Sequence, residues 1–147
     1  MAKLTVELVT AEERVVSGEA DFVLARGAEG ELGILPRHIP LMTPLRPGEV
    51  MIRNDGNEEY LFVAGGFLQV LPDKVVILAD AAERAEEIDE QRAEEARKRA
   101  QQLLQETEGT DVEARAALER AIFRLRVAEL RKRRRGQPPP PQPLSGQ

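Results

Sequence analysis

No proline lies between Pro72 and Pro138, and Gly109 is the only glycine between Gly66 and Gly136. Upstream of Pro72 lie eight glycines and four prolines, the prolines all between Pro36 and Pro47. Proline removes an amide donor and fixes φ, and interior glycine weakens regular elements. Long helices are therefore confined to the second stretch, and the first must consist of short elements joined by turns. The texture changes near Ala81.

Residues 4–79 read as β-structure. Leu4, Val6 and Leu8 alternate with Thr5 and Glu7, and Phe22 and Leu24 alternate with Asp21, Val23 and Ala25. Met51, Tyr60, Phe62, Phe67, Leu68, Val70, Val75 and Ile77 continue the short apolar runs. Ser17-Gly18, Arg46-Pro47-Gly48, Asn54-Asp55-Gly56-Asn57, Gly65-Gly66 and Pro72-Asp73 supply the turns. Asp55-Gly56 is a hairpin turn between residues 51–53 and 60–63. Short strands at this spacing predict a sandwich or small barrel.

Beyond Ala81 the good helix formers Ala, Glu, Arg, Gln and Leu dominate. Ala93, Ala96, Ala100 and Leu103 fall at helical spacing, as do Leu118, Ile122 and Leu125, with Ala114, Ala121 and Ala128 beside them. Glu108-Gly109-Thr110-Asp111 supplies a stop followed by candidate N-caps. Two antiparallel helices over about residues 88–107 and 111–133 follow, with Glu94 to Lys98 and Glu95 to Arg99 as i,i+4 pairs. The expected fold is α+β: a sandwich or small barrel over residues 1–84, a helical hairpin over 85–135, and a disordered Pro-rich tail over 136–147.

The net charge of −5 is unevenly spread. Residues 1–80 hold 7 basic and 13 acidic side chains, residues 81–110 hold 5 and 9, and residues 111–147 hold 9 and 4. An acidic body with a basic arm points to an acidic partner for the arm. With no cysteine there is no disulfide frame, thiolate metal site or cysteine nucleophile. No apolar run is long enough to span a bilayer, and residues 1–3 do not lead into a signal peptide, so direct membrane insertion is not expected. One histidine, two serines and no phosphate-binding glycine loop make a poor inventory for catalysis, so the chain reads as a non-enzyme without a metal site. His38 reads as a turn or interface residue rather than a base.

One run carries more information than its composition. Gly30-Glu31-Leu32-Gly33-Ile34-Leu35-Pro36-Arg37-His38-Ile39-Pro40-Leu41 is, in backbone terms, a tight corner between strands. It resembles the signature loop of the epsilon subunits of bacterial F-type ATP synthases. Gly65-Gly66-Phe67, Val76-Ile77-Leu78-Ala79 and Ala82-Glu83-Arg84-Ala85-Glu86-Glu87-Ile88-Asp89 extend the resemblance over about residues 1–132. It implies a flattened β-sandwich followed by a two-helix hairpin, in a rotor subunit that grips the gamma subunit and touches the c-ring, couples proton flow to rotation and restrains hydrolysis. It also implies a peripheral place on the cytoplasmic face of the cell membrane. By resemblance, Glu31, His38, Ile39, Pro40 and Leu41 match the rotor-contact loop.

Ile88-Asp89-Glu90-Gln91-Arg92-Ala93 resembles the pattern with which some epsilon subunits bind a regulatory ATP. A plain helix start accounts for Asp89 as N-cap, with Ile88 and Ala93 as a staple. It leaves Arg92 in a first turn whose dipole disfavours a cation. The resemblance implies an ATP site of Glu83, Ile88, Asp89, Arg92 and Ala93, with Arg120 and Arg124 from the second helix. No cofactor is otherwise required.

Arg115, Arg120, Arg124 and Arg126, with residues 131–135, form a solvated basic face or, by resemblance, meet the alpha and beta subunits of the catalytic head. Nucleic acid is disfavoured by the acidic body and scarce aromatics. The competing reading is a free-standing adaptor that binds an acidic protein through the basic arm.

Overall fold

The computed structural model describes residues 2–136, with side chains through Arg133. Ten short strands come first: β1 (Leu4–Val9), β2 (Arg14–Ala20), β3 (Phe22–Gly27), β4 (Gly30–Ile34), β5 (Leu41–Leu45), β6 (Gly48–Asn54), β7 (Asn57–Val63), β8 (Gly66–Leu71), β9 (Lys74–Ala79) and β10 (Ala82–Arg84). A 3-10 turn at Ala85–Glu87 leads to α1 (Glu90–Glu106) and α2 (Val112–Gly136). The Pro-rich tail expected from the sequence falls on residues 137–147, outside the described residues; residue 136, assigned to that tail, ends α2.

The strands form one continuous ladder in the order β10-β7-β6-β3-β5-β8-β9-β1-β2, with β4 paired to β3 off that path. β1 and β9 run parallel. β3 and β5 share a single register pair, Gly27 with Leu45, so the sheet turns there into a second layer. Asp55 (φ 52°) and Gly56 (φ 83°) both take the left-handed region, which gives the β6–β7 hairpin the twist of its strands.

The layers meet over Leu4, Val6 and Leu8 of β1, Leu68 and Val70 of β8, Val75 and Ile77 of β9, and Val50 and Ile52 of β6. On β3 the fully buried pair is Val23 and Ala25, while Phe22 and Leu24 lie on the outer side. Phe22 covers Gly33, where an added Cβ would stand 3.0 Å from the ring, and Arg53 stacks over it at 5.3 Å. Both alternating sets of β3 are apolar, so the period alone could not say which faced inward.

Asp89 caps α1 by accepting the Arg92 backbone N–H at 3.1 Å, and Asp111 caps α2 through the Ala114 N–H at 2.9 Å. Between the helices, Glu108 (φ 51°) and Gly109 (φ 79°) reverse the chain. Glu94 pairs with Arg97, one residue short of the expected Lys98. The buried hairpin residues are Ala93 and Ala100 of α1 and Ala114, Ala121 and Ala128 of α2. The stripe of Leu118, Ile122 and Leu125 is not the packed face; Ile122 is 45% exposed and the two leucines are half-buried. Seven-residue alanine spacing lets the two backbones approach, which leaves the larger side chains at the margin.

α2 also lies on the sandwich. Val127 is fully buried with Phe62 and Ala85, and Tyr60, Ala64, Ile88 and Phe123 pack around them, apart from the main core. The contact is reciprocal. Arg26 of the sandwich stacks on Phe123 at 4.2 Å, and Arg124 of α2 stacks on Phe62 at 4.8 Å. Arg26 also lies 3.6 Å from Glu119.

Candidate functional site

β10 alternates as any strand does. Ala82 packs on the main core, Arg84 reaches Glu59 and the Val15 carbonyl, and Glu83 reaches α2. The 3-10 turn then carries the chain to the start of α1. The space enclosed by β10, the root of α1 and the middle of α2 is a cavity of about 320 Å³. Glu83, Glu87 and Asp89 supply its carboxylates, Arg92, Arg99 and Arg124 its guanidiniums, and Ala93 and Ala96 its small floor. Glu83 holds Arg124 at 2.6 Å from Nε, and Asp89 is engaged with the helix backbone. Three guanidiniums converging on one opening suit a polyanion, since each can pair bidentately with phosphate or carboxylate.

Five of the seven residues expected to form one site meet here: Glu83, Asp89, Arg92, Ala93 and Arg124. Ile88 instead packs into the apolar cluster under α2. Arg120 is 3.0 Å from Glu113 and does not line the cavity. Arg99 takes its place. The sequence pairs it with Glu95 at i,i+4, yet it lies seven residues past Arg92, two helical turns along the same face. That spacing was the available signal.

A second feature lies on the outer side of the β5–β8–β9 layer. Pro44 pairs with Phe67, Phe67 with Leu78, and Leu78 with Val9, an apolar row across four strands. Phe67 is 53% exposed, Leu78 57%, and the neighbouring Met42 67%. Contiguous exposed apolar surface of this kind marks an interaction site. The row is fixed by Gly66, where a Cβ would collide with the Leu78 carbonyl, so β8 and β9 can close only around glycine.

Comparison with known proteins agrees with both halves. Residues 3–85 match the ATP synthase delta/epsilon chain β-sandwich domain, and residues 86–129 match the long α-helix domain of the same chain. The chain belongs to the ATP synthase delta/epsilon family. The ATP synthase epsilon chain of Herpetosiphon aurantiacus is 51% identical over 133 residues, covering 89% of this chain and 98% of that one. That of Dehalococcoides mccartyi is 53% identical over 137 residues, covering 90% and 97%. The fold is similar to a chain of the Euglena gracilis mitochondrial ATP synthase assembly of OSCP, F1 and c-ring, with TM-score 0.67 and 23% identity over 91% of this chain and 82% of that one.

The residues matched to the epsilon signature loop do not form one cluster. Arg37 takes φ 68°, its N–H donates to Pro72 O at 2.7 Å, and His38 Nδ1 donates to Ile39 O at 2.7 Å. Ile39 and Pro40 project outward and Leu41 starts β5 beside Val70. Glu31 on β4 stands in register with Arg26 on β3, near the end where Gly27 meets Leu45. Leu41 and Leu45 are separated by about 13 Å of strand.

The four arginines expected to meet the catalytic head also divide. Arg124 and Arg126 are paired with the sandwich acids Glu83 and Glu49, Arg115 bonds the Gly109 carbonyl, and Arg120 stays on its own helix. Glu49 is the one buried charged residue among the described residues. Arg131 and Lys132 pair with Glu86 and Glu90. Most of the basic arm is thus matched by the molecule's own acids. Among the described residues, no helix is long and apolar enough to cross a membrane, and no three His, Cys, Asp or Glu side chains are grouped to hold a metal.

Proposed function

We propose that this chain is the non-catalytic epsilon subunit in the central stalk of an ATP synthase, peripheral on the cytoplasmic face of the cell membrane. Its sandwich holds the gamma subunit through the apolar row of Pro44, Phe67, Leu78 and Val9, and meets the c-ring through the loop around Ile39 and Pro40. The observation that carries the reading is that exposed row on a domain matched along its whole length to the family's β-sandwich. By coupling through the stalk, the subunit links proton flow to ATP synthesis.

The hairpin restrains hydrolysis. In the arrangement described above it lies folded on the sandwich, held by a small apolar cluster and by charge pairs. Lifting it frees Arg124 and Arg126 for acids of the alpha and beta subunits. A regulatory ATP in the cavity favours the folded arrangement, because only there do Arg92, Arg99 and Arg124 face one ligand.

Affinity capture with gamma and c-ring from detergent-solubilised membranes tests the stalk reading. The parent chain should retain both, whereas Phe67→Glu with Leu78→Glu should lose gamma while remaining folded. Retention of gamma by the charged variant would exclude this face, and failure of the parent to capture either subunit would leave the adaptor reading in place.

A further inference from the structure

The three guanidiniums of the cavity are not equivalent. Arg92 and Arg99, both on α1, have no acidic partner among the described residues. Arg124, the only one contributed by α2, is already engaged by Glu83. Its Nε lies 2.6 Å from Glu83 Oε1 while the guanidinium plane rests on Phe62 at 4.8 Å. The stacking fixes where the charge sits, and the carboxylate neutralises it there. The Glu83 backbone is held in the β10–β7 ladder opposite Phe62, the same residue on which Arg124 stacks.

The geometry points to Glu83 as a built-in stand-in for a ligand phosphate rather than as a contact to the ligand. This rests on the reading of the cavity as a nucleotide site. An incoming polyphosphate finds the α1 arginines open but must compete with a tethered carboxylate for the α2 arginine, and it meets that carboxylate's like charge as well. Arg124 is the ligand's connection to α2, so the competition also sets how strongly binding joins the two helices. Glu83 thereby lowers affinity and raises the concentration at which the hairpin responds. Glu87 lines the same cavity but leans toward Arg84, at 3.9 Å, and has no such role.

Calorimetric titration of the full chain with ATP, and separately with inorganic tripolyphosphate, tests this. Glu83→Gln keeps the shape and removes the charge. It should tighten both ligands by about three- to fivefold, the size of a half-exposed ion pair removed from competition. Glu87→Gln should change affinity by less than half as much. In an Arg124→Gln background the Glu83→Gln gain should vanish. Weaker or unchanged binding by Glu83→Gln overturns the stand-in role and makes Glu83 a ligand contact or a bystander. An equal gain from Glu87→Gln, or a gain that survives loss of Arg124, reduces the effect to general repulsion and also overturns it. Absence of tripolyphosphate binding in every variant overturns it as well. If tripolyphosphate shows the full pattern but ATP binds no more tightly, the stand-in role holds and the nucleotide reading fails.

Discussion

The sandwich and the hairpin solve burial in opposite ways. The sandwich closes over leucine, isoleucine and valine from both layers, most of them with no exposure at all. The hairpin buries alanines between its helices, and its one large fully buried residue, Val127, contacts the sandwich instead of α1. A buried leucine or isoleucine contributes roughly 1.5–3 kcal/mol and an alanine much less. The first region therefore holds itself together, while the second borrows its anchor. That asymmetry is what the proposed lifting of the hairpin from the sandwich requires.

The comparison breaks most directly at the two anchors. Ile77→Ala, in the main core, should destabilise the whole sandwich by about 2–5 kcal/mol and shift its urea midpoint accordingly. Val127→Ala should leave that midpoint in place and instead speed amide exchange along α2 and α1. If both substitutions lower a single shared transition, the two regions unfold as one and the contrast is lost.

A smaller effect sharpens it. Asp89→Ala and Asp111→Ala each remove one N-cap bond and should cost about 1 kcal/mol of helix stability. Circular dichroism at 222 nm should show the loss, with strand signals and the sandwich midpoint unchanged. A sandwich that weakens in step would show that helix formation is coupled to it more tightly than the contacts suggest.

The smallest expected effect is confined to the sandwich. Lys3 Nζ lies 2.6 Å from Asp21 and 2.7 Å from Asp55, and the Asp55 N–H donates to Asp21 at 2.7 Å. The hydrogen bond from Lys3 holds the Asp21 carboxyl below its ordinary range, and Asp21 in turn raises Lys3. A lowered folded value means the contribution is present above the unfolded aspartate value and is lost as pH falls through the lowered one. For Lys3 it is present below the ordinary lysine value and lost as pH rises through the raised one. The sandwich midpoint should thus be flat between about pH 5 and pH 9 and sag slightly at both ends. Asp21→Asn should flatten the acid limb; an unchanged limb would remove this cluster from the account.

Legibility followed the same division. The Asp55-Gly56 turn and both caps were readable because each depends on a few neighbouring residues and a backbone rule. The change of texture near Ala81 fell short of the helices, since β10 runs on to Arg84 and α1 starts at Glu90. The inward face of β3 was not readable, since Val23 and Ala25 are as apolar a set as Phe22 and Leu24. Nor was the packed face of α2: a stripe of leucine and isoleucine outweighs alanine on any hydropathy scale, yet close helix approach selects the alanines. As cavity residues, Asp89, Arg92, Ala93 and Arg124 were expected through the family resemblance, not from a backbone rule. The absence of Arg120 depended on how α2 rotates against β10, and the presence of Arg99 on which face of α1 lines the cavity.

By itself, then, the sequence determined where regular structure could form, through proline and glycine placement, strand and helix periodicity, and capping residues that act within a few positions. It also determined the charge asymmetry that sets acidic body against basic arm. Only the tertiary structure decided which arginine meets which acid, which apolar residues stay outside as the Phe67 and Leu78 row, and that Glu83 closes on Arg124. Those outcomes depend on the mutual orientation of elements far apart in the chain. That orientation is fixed by the fit of whole packed faces, so no short stretch of residues specifies it.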